Sequence, residues 1–178
     1  MEFQELEIND LYLIKSNLFK DNRGEFLKVF NNDIFIENNI NFEIKESYYS
    51  ISNKDVIRGM HFQTNKFAHD KLVYVANGKV LDVILDLRKS SSTFKKFQAL
   101  ELSAEKGNIL FIPKGCAHGF KSLEDNTIMI YNVSTVYSKE NDCGVRYDSF
   151  GMNWCIDNPI VSERDRSFKK IEEIEFFD

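Results

Sequence analysis

The run Arg58-Gly59-Met60-His61-Phe62-Gln63 sets a guanidinium and an imidazole three residues apart in a segment that reads as strand. A histidine titrates near neutrality and can take a proton at physiological pH. The planar fork of an arginine matches phosphate oxygens. Together they describe proton abstraction from a phosphorylated compound. Lys71, His118, Tyr131 and Asp165 join His61 as candidates for chemistry. Lys71 falls on the next predicted strand after His61. His118 follows a turn, Ile112-Pro113-Lys114-Gly115-Cys116-Ala117, and Tyr131 sits among apolar residues where its hydroxyl needs a partner or a task. Each has a plainer reading as well: a satisfied core histidine, a solvated edge lysine, a core tyrosine, a helix-capping aspartate.

Other chemistries fit less well. A histidine-rich transition-metal site needs closely spaced ligands, but His61 is followed by Phe62 and Gln63, and the next histidine is His69. Cys116 and His118 share a strand face without having to touch. No Walker or Rossmann glycine pattern occurs.

Strands must hold these side chains. Leu72-Val73-Tyr74-Val75 and Val80-Leu81-Asp82-Val83-Ile84-Leu85 flank Asn77-Gly78. Asn-Gly between β-rich runs predicts a hairpin, because both central turn positions favour φ above zero. Residues 97–102 alternate apolar and polar, as a half-buried strand does. Lys106-Gly107-Asn108 turns into Ile109-Leu110-Phe111-Ile112, and Glu124-Asp125-Asn126 turns into a strand over 127–133. Short strands at this spacing predict an all-β antiparallel sandwich or barrel, whose inward side chains converge at its mouth. Helix signals cover 33–39 and 168–174, the second preceded by Ser162-Glu163-Arg164-Asp165, which has the form of a capping box.

Composition bounds the rest. At 178 residues with no repeat, low-complexity tract or linker, one domain spanning 1–178 is expected. Sixteen Phe, seven Tyr and only eight Gly suit an aromatic-filled, strand-rich interior. A net charge of −5 without a long basic run argues against general nucleic-acid binding. Three cysteines outside any C-x-x-C pair make no disulfide framework, so a reducing cytoplasm is expected. A charged start without an apolar core and the lack of a long apolar run predict neither signal peptide nor membrane span.

Six motifs occur in order: Asp21-Asn22-Arg23-Gly24, Arg58-Gly59-Met60-His61-Phe62-Gln63, Lys71-Leu72-Val73, Asp86-Leu87-Arg88, Ile112-Pro113-Lys114-Gly115-Cys116-Ala117-His118-Gly119-Phe120 and Ser162-Glu163-Arg164-Asp165. The set resembles the dTDP-4-dehydrorhamnose 3,5-epimerase family over nearly the whole chain. That resemblance implies a double-stranded β-helix, a cupin-like jelly-roll barrel with short peripheral helices. It also implies a homodimer, no metal or organic cofactor, and a nucleoside-diphosphate 4-keto-6-deoxyhexose as substrate, inverted at C3 and C5. Carried over by motif, His61 is the general base, Asp165 its partner, and Tyr131 the proton donor on the opposite face. Lys71 and His118 sit near the developing C4 oxyanion, and Arg58 and Arg23 near the diphosphate. Phe26, Gln63, Glu46, Tyr48 and Lys28 complete the implied substrate-binding set.

The chain departs from the family pattern at Lys28, where glutamate is usual, and at Glu46 and Tyr48, which stand in place of Gln-x-Asn. Val136 replaces the first of an aromatic pair, of which Tyr137 remains. These positions are expected at the nucleotide-facing part of the site, apart from the proton-transfer residues. A CDP- or GDP-linked 4-keto hexose or heptose therefore competes with the thymidine-linked sugar, with one or both centres inverted. A related ketoisomerase and a non-catalytic sugar-binding protein are the other readings.

Overall fold

The computed structural model describes residues 1–177. Strands β1 (Glu2–Glu5), β2 (Tyr12–Lys15), β3 (Leu18–Asp21) and β4 (Gly24–Leu27) precede helix α1 (Asn32–Glu37). Then come β5 (Glu46–Ser52), β6 (Val56–Gln63), β7 (Lys71–Asn77), β8 (Lys79–Asp86), β9 (Phe97–Ser103), β10 (Asn108–Ile112), β11 (Cys116–Ser122) and β12 (Thr127–Val133). The chain ends through β13 (Asp142–Gly144), β14 (Ile160–Val161) and α2 (Glu163–Arg166), with a 3-10 turn at Ile171–Glu173.

Two sheets face each other. One runs β1-β2-β10-β7-β12-β5 and the other β13-β6-β11-β8-β9, with β14 added in parallel to β6; β3 and β4 form a separate hairpin. This is the expected all-β, cupin-like jelly roll with short helices at its edges. Alternation along β7 sends Lys71, Val73 and Val75 inward, where Val73 and Val75 meet Ile84, Phe120, Leu110 and Met129 in an apolar interior. Lys71 closes that row at the mouth.

Each sheet also has a covered outer face. Phe35 of α1 is fully buried and packs edge-on to Phe3, Phe30 and Phe111, over the first sheet. Asn31 starts that helix by accepting the Ile34 N–H. Over the second sheet, Val145, Trp154 and Ile171 pack on Ile57, Leu85 and Leu87. Burying one such aromatic contributes roughly 1.5–3 kcal/mol.

Two local expectations change. Asn77-Gly78 makes no hairpin: β7 and β8 belong to different sheets, and the turn is a corner between them. Only Gly78 has positive φ (77°), whereas a type I′ hairpin needs it at both central positions. The last α-helix lies at Glu163–Arg166, inside its own capping motif, and the span expected as helix over 168–174 holds only a 3-10 turn at Ile171–Glu173. Ser162 accepts the Asp165 N–H there and starts the turn immediately. Among the described residues no helix is long and apolar enough to cross a membrane.

Candidate active site

His61 lies on β6 and Asp165 on α2, far apart in sequence. Asp165 accepts from the ring, Nε2 to Oδ1 at 2.8 Å, and its other oxygen accepts the Gly59 N–H at 3.0 Å. The carboxylate is buried while the imidazole remains about a third exposed, so the pair is closed behind and open in front. Burial alone pushes the Asp165 pKa up. The His61 hydrogen bond and charge, the Gly59 N–H and the nearby Arg164 outweigh it and hold the carboxyl below its ordinary value. A carboxylate fixed behind an imidazole sets the ring's orientation and tautomer. Gly59, with φ of 125°, lets the strand pass this point: a Cβ there would lie 2.5 Å from the Gly119 Cα on β11.

The sequence places Lys71 on the strand following β6, but the two strands lie on opposing sheets. Lys71 Nζ reaches across and donates to the His61 carbonyl at 3.0 Å. It is only 5% exposed, and burial lowers its pKa to about 8 against the pull of Asp82 and Asp142. Beside it, His118 and Asp82 form a second, fully interior pair at 2.5 Å. Burial pushes the Asp82 carboxyl up and the His118 imidazole down, which favours a net-neutral pair. Sequence reasoning missed Asp82 as a partner. Its signal was a lone carboxylate in the apolar strand Val80–Leu85.

Tyr131 is 9% exposed on β12; its ring stands edge-on to His118, and its hydroxyl shares a 3.2 Å hydrogen bond with Ser50. Burial raises the phenol pKa well above the ordinary tyrosine value, so it keeps its proton at any physiological pH. Tyr48 stacks on it.

A cavity of about 300 Å³ is lined by His61, Lys71, Glu46, Tyr48, Asp142 and Arg164 among others, with Tyr131 behind Tyr48 and the His118–Asp82 pair in the interior. A neighbouring cavity of about 370 Å³ shares His61 and Arg164 with it and adds Arg58. Two guanidiniums around adjoining cavities can receive a diphosphate. Arg58 is held by Ser52 Oγ and the Ile51 carbonyl. Arg164 bonds Asp142 at 2.6 Å and carried no sequence signal of its own, although it sits inside the Ser162-Glu163-Arg164-Asp165 motif.

Not every expected residue arrives. Gln63 lines the cavity, but its amide is occupied by the Ser138 N–H and the Phe67 and Val136 carbonyls, so it braces the loop after β12. Glu46 and Tyr48 sit beside the candidate proton-transfer residues, not apart from them, because β5 pairs in register with β12 and sets Tyr48 opposite Tyr131. Glu46 also accepts the Tyr137 N–H at 2.7 Å. Arg23, Phe26 and Lys28 lie outside both cavities, and Tyr131 and His118, although close by, are not part of either lining. Arg23 and Phe26 belong to the β3–β4 hairpin, whose Leu18 and Leu27 flank Gly107. Gly107 precedes β10, and the far end of β10, Ile112, is what pairs with Lys71. At the usual strand rise the base of the hairpin therefore stands roughly 16 Å from the mouth within one chain.

A half-open imidazole–carboxylate pair and a desolvated ammonium at one cavity, with a protonated phenol behind the Tyr48 ring that lines it, mark an acid–base isomerase on a cupin-like scaffold. Residues 5–173 match the dTDP-4-dehydrorhamnose 3,5-epimerase family, and the chain belongs to it. The dTDP-4-dehydrorhamnose 3,5-epimerase of Shigella flexneri is 37% identical over 174 residues, covering 96% of each protein. The Bacillus anthracis dTDP-4-dehydrorhamnose 3,5-epimerase, solved with TDP and PPi bound, superposes with a TM-score of 0.92 at 36% identity, covering 96% of this chain and 99% of that one. A Legionella pneumophila dTDP-6-deoxy-D-glucose-3,5-epimerase, solved with dTDP-4-keto-L-rhamnose, gives 0.92 at 29% identity, covering 98% and 94%. The protein is accordingly an epimerase.

Proposed function

We propose that this epimerase acts on a nucleoside-diphosphate 4-keto-6-deoxy sugar, inverting C3, C5 or both, with the thymidine-linked sugar as the leading substrate. The observation that carries the reading is the convergence of His61, braced by Asp165, and the Lys71 ammonium on one cavity.

Hydrogens α to a ketone are weakly acidic, so their removal requires the enolate charge to be stabilised as it forms. His61 takes the proton while Lys71 faces the developing C4 oxyanion. Tyr131 then delivers its own proton to the carbon from the opposite face. His61 is left protonated and Tyr131 deprotonated, and exchange with solvent resets both. Inversion needs two groups because removal and delivery occur on opposite faces. Arg58 and Arg164 hold the diphosphate.

The chain works as a homodimer, in which the β3–β4 hairpin supplies Arg23, Phe26 and the neighbouring Lys28 to the cavity of the second copy. Phe19 and Phe26 are 60% and 61% exposed on that hairpin, and among the described residues Arg23 pairs only with its own Asp21. Three unpaired cysteines suit a reducing cytoplasm.

The test is incubation in D₂O with dTDP-, CDP- and GDP-linked 4-keto-6-deoxy sugars, following deuterium at C3 and C5 by NMR. Enzyme-dependent incorporation with the thymidine sugar supports the leading reading. Preference for another label moves the assignment to that nucleotide, as Lys28, Glu46 and Val136 allow, and no incorporation with any of them rejects the chemistry.

A further inference from the structure

Tyr48 and Tyr131 are direct cross-strand partners on β5 and β12. Their rings stack with centroids 4.9 Å apart and planes 18° from parallel. Ser50, two residues along the same strand, holds the Tyr131 hydroxyl, and His118 stands edge-on to the ring at 6.1 Å. The phenol is thus fixed at its hydroxyl, its face and its edge. Two of those three constraints come from β5, the outermost strand of its sheet. Tyr48 alone of these neighbours also lines the cavity with His61 and Lys71, and it is 43% exposed there.

We propose that Tyr48 is a positioning residue for Tyr131: its stacked ring holds the phenol in the one rotamer from which it can deliver a proton opposite His61. This rests on the function proposed above. The physics is that of preorganisation. A tyrosine ring free to swing about χ1 loses its aim, whereas an aromatic stack favours the stacked rotamer beyond what area burial supplies. That is enough to bias a rotamer equilibrium about tenfold. The ring matters here and the Tyr48 hydroxyl does not, because the contact is face to face.

The experiment compares Tyr48→Ala, Tyr48→Phe and the unaltered protein by deuterium wash-in and by net inversion on the same NMR samples. Tyr48→Ala is expected to keep wash-in on the His61 side while net inversion falls roughly tenfold, the share of the rotamer bias that the stack supplies. Tyr48→Phe is expected to restore most of that loss. Equal loss of wash-in and inversion in Tyr48→Ala overturns the proposal, since Tyr48 then serves substrate binding. Failure of Tyr48→Phe to rescue overturns it too, since the hydroxyl is then what counts. Unaltered protein that shows no exchange with any nucleotide sinks the function proposed above instead. In that event an ultraviolet titration of the phenols still judges the stack. Loss of Tyr48 to alanine should expose Tyr131 and lower its ionisation midpoint, phenylalanine should not, and no difference between the two rejects the positioning role.

Discussion

Lys71 donates its ammonium to the backbone carbonyl of His61 across the gap between the two sheets. The proposed oxyanion stabiliser is therefore anchored to the residue that carries the proposed base. A shift of one sheet against the other would move both groups together relative to the substrate.

Removing that ammonium should separate activity from stability. Lys71→Met is expected to lower kcat by about 10²–10³, the usual cost of losing an oxyanion donor. The buried charge is unfavourable in the fold, as its lowered pKa records. The same variant should therefore melt higher at neutral pH, by roughly 2–4 °C for each kcal/mol relieved. A calorimetric Tm that falls instead would assign Lys71 a structural role.

The pH profile follows from the same group. With its pKa near 8, Lys71 in the free enzyme is charged below that pH and neutral above it. The expected kcat/KM profile has an alkaline limb with a midpoint near 8, and Lys71→Met lacks it. Stability moves the other way. An unfolded lysine titrates higher, so the cost of the buried charge is relieved as pH rises from about 8 toward the unfolded value. A kcat/KM that stays flat past pH 9 would detach Lys71 from the rate.

His61→Asn should nearly abolish deuterium exchange at both carbons while leaving nucleotide binding intact by calorimetry. Asp165→Asn should cost about 10²–10⁴ in exchange, because the imidazole loses its orienting anion. Asp165→Ala should also destabilise the fold by about 1–3 kcal/mol, since the Gly59 N–H is left unpaired in a buried position. Normal turnover in His61→Asn would remove it as base.

Tyr131→Phe should let exchange on the first face continue and impair net inversion, by about 10²-fold or more. An unchanged inversion rate would mean that another acid serves that face.

The hairpin predicts complementation. Arg23→Ala and His61→Asn proteins, each impaired alone, should regain about a quarter of normal activity when refolded together in equal amounts, because half the dimers then hold one intact site. No regain would mean that the hairpin serves no neighbouring subunit.

Much of this was legible in the chain. His61, Lys71, His118 and Tyr131 stood out because titratable groups in apolar strands need a reason, and the turn signals outlined most strands of both sheets. The Asp165 pairing was implied by family resemblance rather than by spacing. What the sequence hid was relation across the interior. Strand order does not say which sheet a strand joins, so the corner at Asn77-Gly78 read as a hairpin and Lys71 as a neighbour of His61. Asp82 and Arg164 escaped for the same reason, since each gains meaning only from a partner on another element. Register hid Tyr48, whose contact with Tyr131 depends on how the outermost strand aligns.

Along β7 the inward row runs from Lys71 at the mouth to Val73 and Val75 inside, and β12 runs likewise from the rim to Met129. Cohesion is thus stored at one end of these strands and chemistry at the other. Rim positions such as Glu46 and Tyr137 can drift without drawing on the packed end. A lineage can retune what the barrel accepts while its melting behaviour stays nearly constant, and exchanges at Val75 or Met129 should be far less forgiving.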